Sequence, residues 1–276
     1  MLSVEEFTQF IVECWEKTPT NHFFSVNSSR IPSNLNVAGI FRVQSLEECL
    51  TSYSWNGKGF KENDTKLGHL QGRLQQSLNE KNLDLAASSF KEIYQWGGVR
   101  YKGNISGSWL CNSFQDRTLI DKITDSIDIL KTGKNLDKFD GQNLIMNSGY
   151  TKVASLAAPR ENPLIIYDGR VGAALGDLVA MAMQAKQKKM ICSELCFPWG
   201  GARGKGNSRN PSTDKLKFPR LFGGHASHMK HARAMHNASK IVIRATECLG
   251  IRPREMEAAL FMWGYDIRYK RGHESE

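Results

Sequence analysis

Apolar residues recur at helical spacing along most of this chain, and polar or glycine-rich breaks divide them into successive elements. Near the N-terminus Phe7, Phe10, Ile11 and Trp15 form one stripe. Ser3 and Glu6 have capping-box spacing, so 3–17 is predicted to be an amphipathic helix. The polar stretch 18–40, with Pro19 and Pro32, reads as loop, and a short helix follows over 45–54. Two consecutive helices are predicted over 64–79 and 83–96; Leu85, Ala86, Phe90, Ile93 and Tyr94 line the second and Asn82 is placed to cap it. The glycine-rich 97–111 reads as a connector. Leu119, Ile120, Ile123, Ile127 and Leu130 predict a helix over 116–131, and 136–146 is expected to be another, with Gly141 against it. Asn147-Ser148-Gly149 has turn composition. A short helix over 151–158, a polar loop over 159–163 and the apolar run Leu164-Ile165-Ile166 follow. Asp168 is placed to cap a helix over 169–186. Beyond it come a basic stretch rich in glycine and proline over 197–224, a long helix over 225–249, and a last helix over 253–264. The charged tail 268–276 is expected to fray. The expected fold class is mainly all-α, without internal repeats.

A chain of 276 residues can bury a full core. The expected division is an N-terminal helical subdomain over 1–112 and a second region over 113–276. No apolar run approaches a membrane span, and the acidic, amphipathic N-terminus is unlike a signal peptide, so a cytoplasmic protein is expected. The six cysteines include no CxxC pair, and Cys192 and Cys196 lack the further ligands of a zinc or iron–sulfur site. Reduced thiols, no metal and no cofactor are expected.

Charge changes the picture more. Residues 1–97 hold 9 Lys+Arg against 11 Asp+Glu, whereas 186–254 hold 15 against 3. A concentrated basic surface suits a polyanion, nucleic acid above all, although a solvated basic face reads the same way. His225, His228 and His231 recur at metal-compatible spacing, but no carboxylate or cysteine accompanies them, and their neighbours Lys230 and Arg233 favour phosphate contact. The 197–224 stretch contains neither GxxxxGK[ST] nor GxGxxG, which leaves nucleotide hydrolysis without support. Its backbone can approach phosphates, and Phe197, Trp199 and Phe218 could stack on an extruded base; a mobile linker is the plainer reading.

The residues singled out for chemistry are Lys152 and Asp168, sixteen positions apart, which leaves room for a helix and a loop to fold them into one cleft. An amine and a carboxylate together can attack an electron-poor carbon and stabilise positive charge. Spacing alone equally allows a solvated lysine and a plain helix cap.

Gly149-Tyr150-Thr151-Lys152-Val153-Ala154, followed by Ile165-Ile166-Tyr167-Asp168-Gly169-Arg170-Val171, resembles the helix-hairpin-helix DNA glycosylase superfamily, and most closely its 8-oxoguanine branch. The similarity lies within 143–175. The motif departs at Tyr150, where the family usually has glycine, and at Ile166-Tyr167, where it usually has Pro-Val. More loosely, the chain resembles bacterial proteins with the 8-oxoguanine glycosylase fold, some linked to defence against phages with modified DNA bases. The resemblance implies a helix-hairpin-helix glycosylase fold with 136–146 as the first helix of the hairpin and a glycine-rich basic loop, acting as a monomer on double-stranded DNA in the nucleoid. It implies Lys152 as nucleophile and Asp168 as catalytic carboxylate. Asn147, Ser148, Gly149, Thr151 and Arg170, with Arg203, Lys205 and Arg209 of the basic loop, would hold DNA. Phe197, Trp199 and Phe218 would line the base pocket. The implied substrate is an 8-oxoguanine-like base in repair or a glucosylated pyrimidine in antiviral defence. Two other function classes stay open: a non-catalytic helix-hairpin-helix DNA-binding protein, and an enzyme acting on small anions through the glycine-rich loop.

Overall fold

A computed structural model describes residues 1–25, 40–100, 103–201, 208–221 and 225–267. These residues form ten α-helices and a two-stranded sheet, so the fold is mainly helical as expected. No helix among them is long and apolar enough to cross a membrane. The chain divides into two compact units, each built from separate stretches of sequence: 1–64, 168–221 and 240–276 in the first, 65–167 and 222–239 in the second.

The first unit contains α1 (Val4–Glu16), β1 (His22–Ser25), β2 (Ile40–Val43) and α2 (Leu46–Thr51), then α8 (Gly169–Ala185) and α10 (Pro253–Trp263). Ser3 and Glu6 close the predicted capping box on α1. The strands pair antiparallel with Phe24 opposite Phe41, and these rings stack at 5.1 Å. His22 stacks on Trp263 of α10 at 4.1 Å. Trp263 Nε1 in turn donates to Asp177 of α8 at 2.9 Å. α10 packs on both α2 and α8.

The second unit contains α4 (Leu83–Trp96), α5 (Ile105–Gln115), α6 (Leu119–Thr132) and α7 (Tyr150–Ala157). Its core runs through Phe90, Tyr94, Trp109 and Tyr150; Phe90 stacks on Tyr94 at 4.6 Å, and Trp109 meets Tyr150 edge-on at 5.3 Å. Two helices cross the division: α3 (Phe60–Asn79) after Asp64, and α9 (His225–Leu249) after Ser239.

Three expectations need correction. The 18–40 stretch was expected to be all loop, yet its two ends form β1 and the start of β2; the pairing lies between segments distant in sequence, which local composition does not signal. The connector 97–111 gives way to helix at Ile105, where Asn104 caps α5 by accepting from Gly107 N–H. The predicted helix over 136–146 is reduced to one 3₁₀ turn, Leu136–Lys138. There Asp140 accepts from the Gln142 and Asn143 backbone N–H groups, both at 2.7 Å, and Gly141 has φ 87°. A short carboxylate bonding its own following backbone competes with the helix.

Phe90 is fully buried behind the turn that enters α7. Phe90→Ala is expected to destabilise the fold by about 3–5 kcal/mol, read as a lower denaturant midpoint at unchanged slope.

Candidate functional site

The second unit presents Lys152 from the first turn of α7. The turn before it is organised by Asn147, whose Oδ1 accepts from Gly149 N–H at 2.9 Å and Tyr150 N–H at 3.0 Å. Asn147 Nδ2 donates to Ser106 Oγ at 3.0 Å, and Tyr94 Oη donates to the same oxygen at 3.1 Å. Tyr150, at the position where the motif usually has glycine, is fully buried, with its hydroxyl 2.9 Å from Ser126 Oγ. Thr151 N–H donates to Asn147 O, and Lys152 N–H donates to Gly149 O. The N–H groups of 149–152, which a hairpin would offer to phosphate, therefore already bond oxygens of the turn itself.

Lys152 is only 7% exposed. Its Nζ donates to Ser148 O at 2.8 Å. Its stem lies against Gly97 at the end of α4, where an added Cβ would come within 2.6 Å of Lys152 Cδ. Glycine at 97 thus makes the space that the lysine stem fills.

The N-terminal part of α9 braces the backbone on both sides of α7. His228 Nδ1 lies 2.9 Å from Met146 N and 2.7 Å from Met146 O; its tautomer decides which of the two it engages. His231 Nε2 lies 3.0 Å from Tyr167 O, and Ser239 Oγ accepts from Ile165 N–H at 3.2 Å. His236 Nδ1 lies 2.6 Å from Leu130 O, at the end of α6. The histidine spacing alone leaves a choice between metal and phosphate, with Lys230 and Arg233 favouring phosphate. The available signal was that His228 and His231 share the stripe of Ala232, Met235 and Ala238, which is buried. The side chain of His225 lies outside the described residues, and no cluster fit to hold a metal occurs among those described.

The first unit presents Asp168. It is half-buried and caps α8 as expected, its Oδ1 accepting from Arg170 N–H at 2.8 Å and Val171 N–H at 3.1 Å. Gly169 beside it lies so close to Gly200 that an added Cβ would sit 2.5 Å from Gly200 Cα. Arg170 is buried at 8% exposure, its guanidinium 4.2 Å from the Phe261 ring centroid and 4.4 Å from that of Tyr265. Arg209 donates through Nε to Tyr265 O at 3.1 Å. Lys152 and Asp168 thus belong to different units.

Phe197, Trp199 and Phe218 are all buried in the first unit. Trp199 Nε1 donates to Phe218 O at 3.2 Å, the Trp199 backbone bridges that of Arg220, and Phe197 lies 6.2 Å from Phe7. Arg203 and Lys205 lie outside the described residues. Of the other basic residues, Lys215, Lys217 and Arg220 are exposed in the first unit, as are Lys240 and Arg244 on its part of α9; Lys230 and Arg233 are exposed in the second. No family model, curated protein or solved structure matches this chain.

Asn147→Ala removes the oxygen that holds two N–H groups of the turn and is expected to cost about 1–2 kcal/mol, read by denaturant unfolding. Burial pushes the Tyr94 and Tyr150 phenols above their usual range, against the opposing bonds to Ser106 and Ser126. Both raised values favour the folded state fully below the unfolded phenol pKa of about 10, and that support is lost as pH rises toward the folded values. Titration followed by phenolate absorbance should show these two tyrosines ionising only together with alkaline unfolding. Ionisation of all seven tyrosines in the still-folded protein would contradict their burial.

Proposed function

We propose that this chain is a DNA glycosylase of the helix-hairpin-helix type, with Lys152 as its amine and Asp168 as its carboxylate. The observation that carries the reading is the placement of Lys152: a lysine 7% exposed, in the first turn of a wholly buried helix, its Nζ on a backbone carbonyl. Burying an amine is costly, and a chain tolerates such a placement most readily where the amine has work to do. Asp168 supports the reading as a half-buried carboxylate at a helix start, and the exposed lysines and arginines of 215–244 support a polyanion partner. In this reading α6 and α7 are the helix pair, joined through 133–149. Because the N–H groups of 149–152 are engaged within the turn, the grip on the DNA backbone falls to basic side chains.

The chemistry follows from the location of the target. A base inside a duplex must be flipped out, at a cost of a few kcal/mol. Cleaving its N-glycosidic bond builds positive charge on the sugar, which Asp168 stabilises. Neutral Lys152 then attacks C1′ as the base leaves, and the product collapses to a Schiff base with an opened sugar. If Lys152 stays protonated, Asp168 instead activates water and leaves an abasic site. The two substrate classes are an oxidised guanine, in repair, and a glucosylated pyrimidine, in defence against phage.

The test is incubation with duplexes containing 8-oxoguanine or uracil and with phage DNA carrying or lacking glucosylated cytosine, followed by alkali to reveal abasic sites. Base release from one substrate, reduced about 100-fold or more in Lys152→Gln and in Asp168→Asn, is the expected result. Strand cleavage without alkali would assign lyase chemistry to Lys152. A second reading, a DNA-binding protein without catalysis, is favoured by the buried Tyr150 at the motif's glycine position. Salt-sensitive duplex binding with no base released from any substrate would establish that second reading and defeat the first.

A further inference from the structure

Arg170 is a cation enclosed by aromatic rings. Its guanidinium lies over Phe261 at 4.2 Å, Tyr265 at 4.4 Å and Trp55 at 5.5 Å, all within the first unit. Ring faces attract the charge but cannot satisfy the N–H edge of a guanidinium, which carries five donors. The Nη1 atom is buried with no hydrogen-bond partner. Asp168, two residues before it in sequence, accepts through Oδ1 from the Arg170 and Val171 backbone N–H groups. A second cation meets the same ring: the Arg209 guanidinium is 5.8 Å from the Tyr265 centroid. Ser208, which precedes Arg209, also has a buried hydroxyl without a partner. Burial, reinforced by the Arg209 charge and opposed by the Asp168 carboxylate, lowers the Arg170 pKa to about 10, so the group remains cationic at neutral pH.

Two arginines on one ring repel each other, and a buried guanidinium edge without an acceptor is costly. An anion at Nη1 removes the second penalty and offsets the first, and phosphate oxygens match the guanidinium fork. We propose that Arg170 and Arg209, both against the Tyr265 ring, form an oxyanion site that takes a phosphate group. Its source is either a DNA backbone phosphodiester or a small phosphate-bearing ligand. Only the first source rests on the glycosylase reading; the anion site does not.

The test is thermal unfolding of the full chain in inorganic phosphate against sodium chloride of equal ionic strength, for wild type, Arg170→Met and Arg209→Gln. Phosphate stabilises proteins generally, so the wild-type response minus the variant response is the reading. The wild-type Tm is expected to rise by about 3 °C or more beyond that of Arg170→Met at saturating phosphate, with an intermediate response in Arg209→Gln. Arg170→Met replaces an unsatisfied charge with an apolar side chain, so without phosphate its Tm should equal or exceed that of wild type. If Arg170→Met fails to fold, Arg209→Gln decides alone. Equal phosphate responses in wild type and the folded variants would overturn the site. A labelled duplex identifies the source: displacement by phosphate and weaker binding by Arg170→Met name the DNA backbone, whereas unchanged duplex binding with a lost phosphate response names a small ligand. Base release is not read here, so failure of the glycosylase assay and failure of the anion site are separate results.

Discussion

The second unit depends on polar side chains of one helix bonding backbone that has no secondary structure of its own. Residues 144–146 and 164–167 are buried and non-helical, so their N–H and C=O groups need partners that neither a ladder nor a helix supplies. α9 supplies partners at three of these residues, through His228 at Met146, Ser239 at Ile165 and His231 at Tyr167, while Leu144 bonds Lys138 and Gly141 and Leu164 O accepts from Ser155 Oγ. A buried polar group left unmade costs about 1–3 kcal/mol, so removing several of these side chains together would remove much of what orders the segment. The result is a short helix, α7, fixed at its entrance and beyond its exit by the same partner.

That fixation gives Lys152 a defined direction. Asn147 sets the turn, Ser148 supplies the carbonyl for Nζ, and Gly97 leaves room for the stem. Functional groups held by locked neighbours are more precise than groups on free loops. Asp168 receives its direction differently, from the N–H groups that open α8 and have no acceptor within the helix. Arg170, next but one in sequence, inherits its burial from the same helix start.

Features governed by neighbours in sequence were legible. Ser3 with Glu6, Asn82 and Asp168 all cap the helices their spacing predicts, because a cap acts within three residues. Features governed by distant partners were not. Phe24 meets Phe41 only once the chain has turned back, and Ser239 finds Ile165 across 74 residues. The failure at 136–146 has a local cause: Asp140 ties the following N–H groups to itself, where the hairpin motif implies helix. For the candidate site, sequence singled out Lys152 and Asp168, but not the enclosure of Arg170, because Trp55, Phe261 and Tyr265 come from remote stretches. The stacking expected of Phe197, Trp199 and Phe218 rested on composition, which does not distinguish an aromatic facing a ligand from one in the core; all three are buried.

The central claim, that α9 holds the backbone around Lys152, is tested most directly by amide hydrogen exchange at Ile165 in wild type and Ser239→Ala. The Ile165 N–H donates to Ser239 Oγ inside the second unit, so it should be strongly protected. The variant should exchange there about tenfold faster or more, as loss of about 1.4 kcal/mol predicts, while amides in the middle of α4 keep their rates. An Ile165 amide that exchanges freely in wild type, or at the same rate in both proteins, would contradict the account.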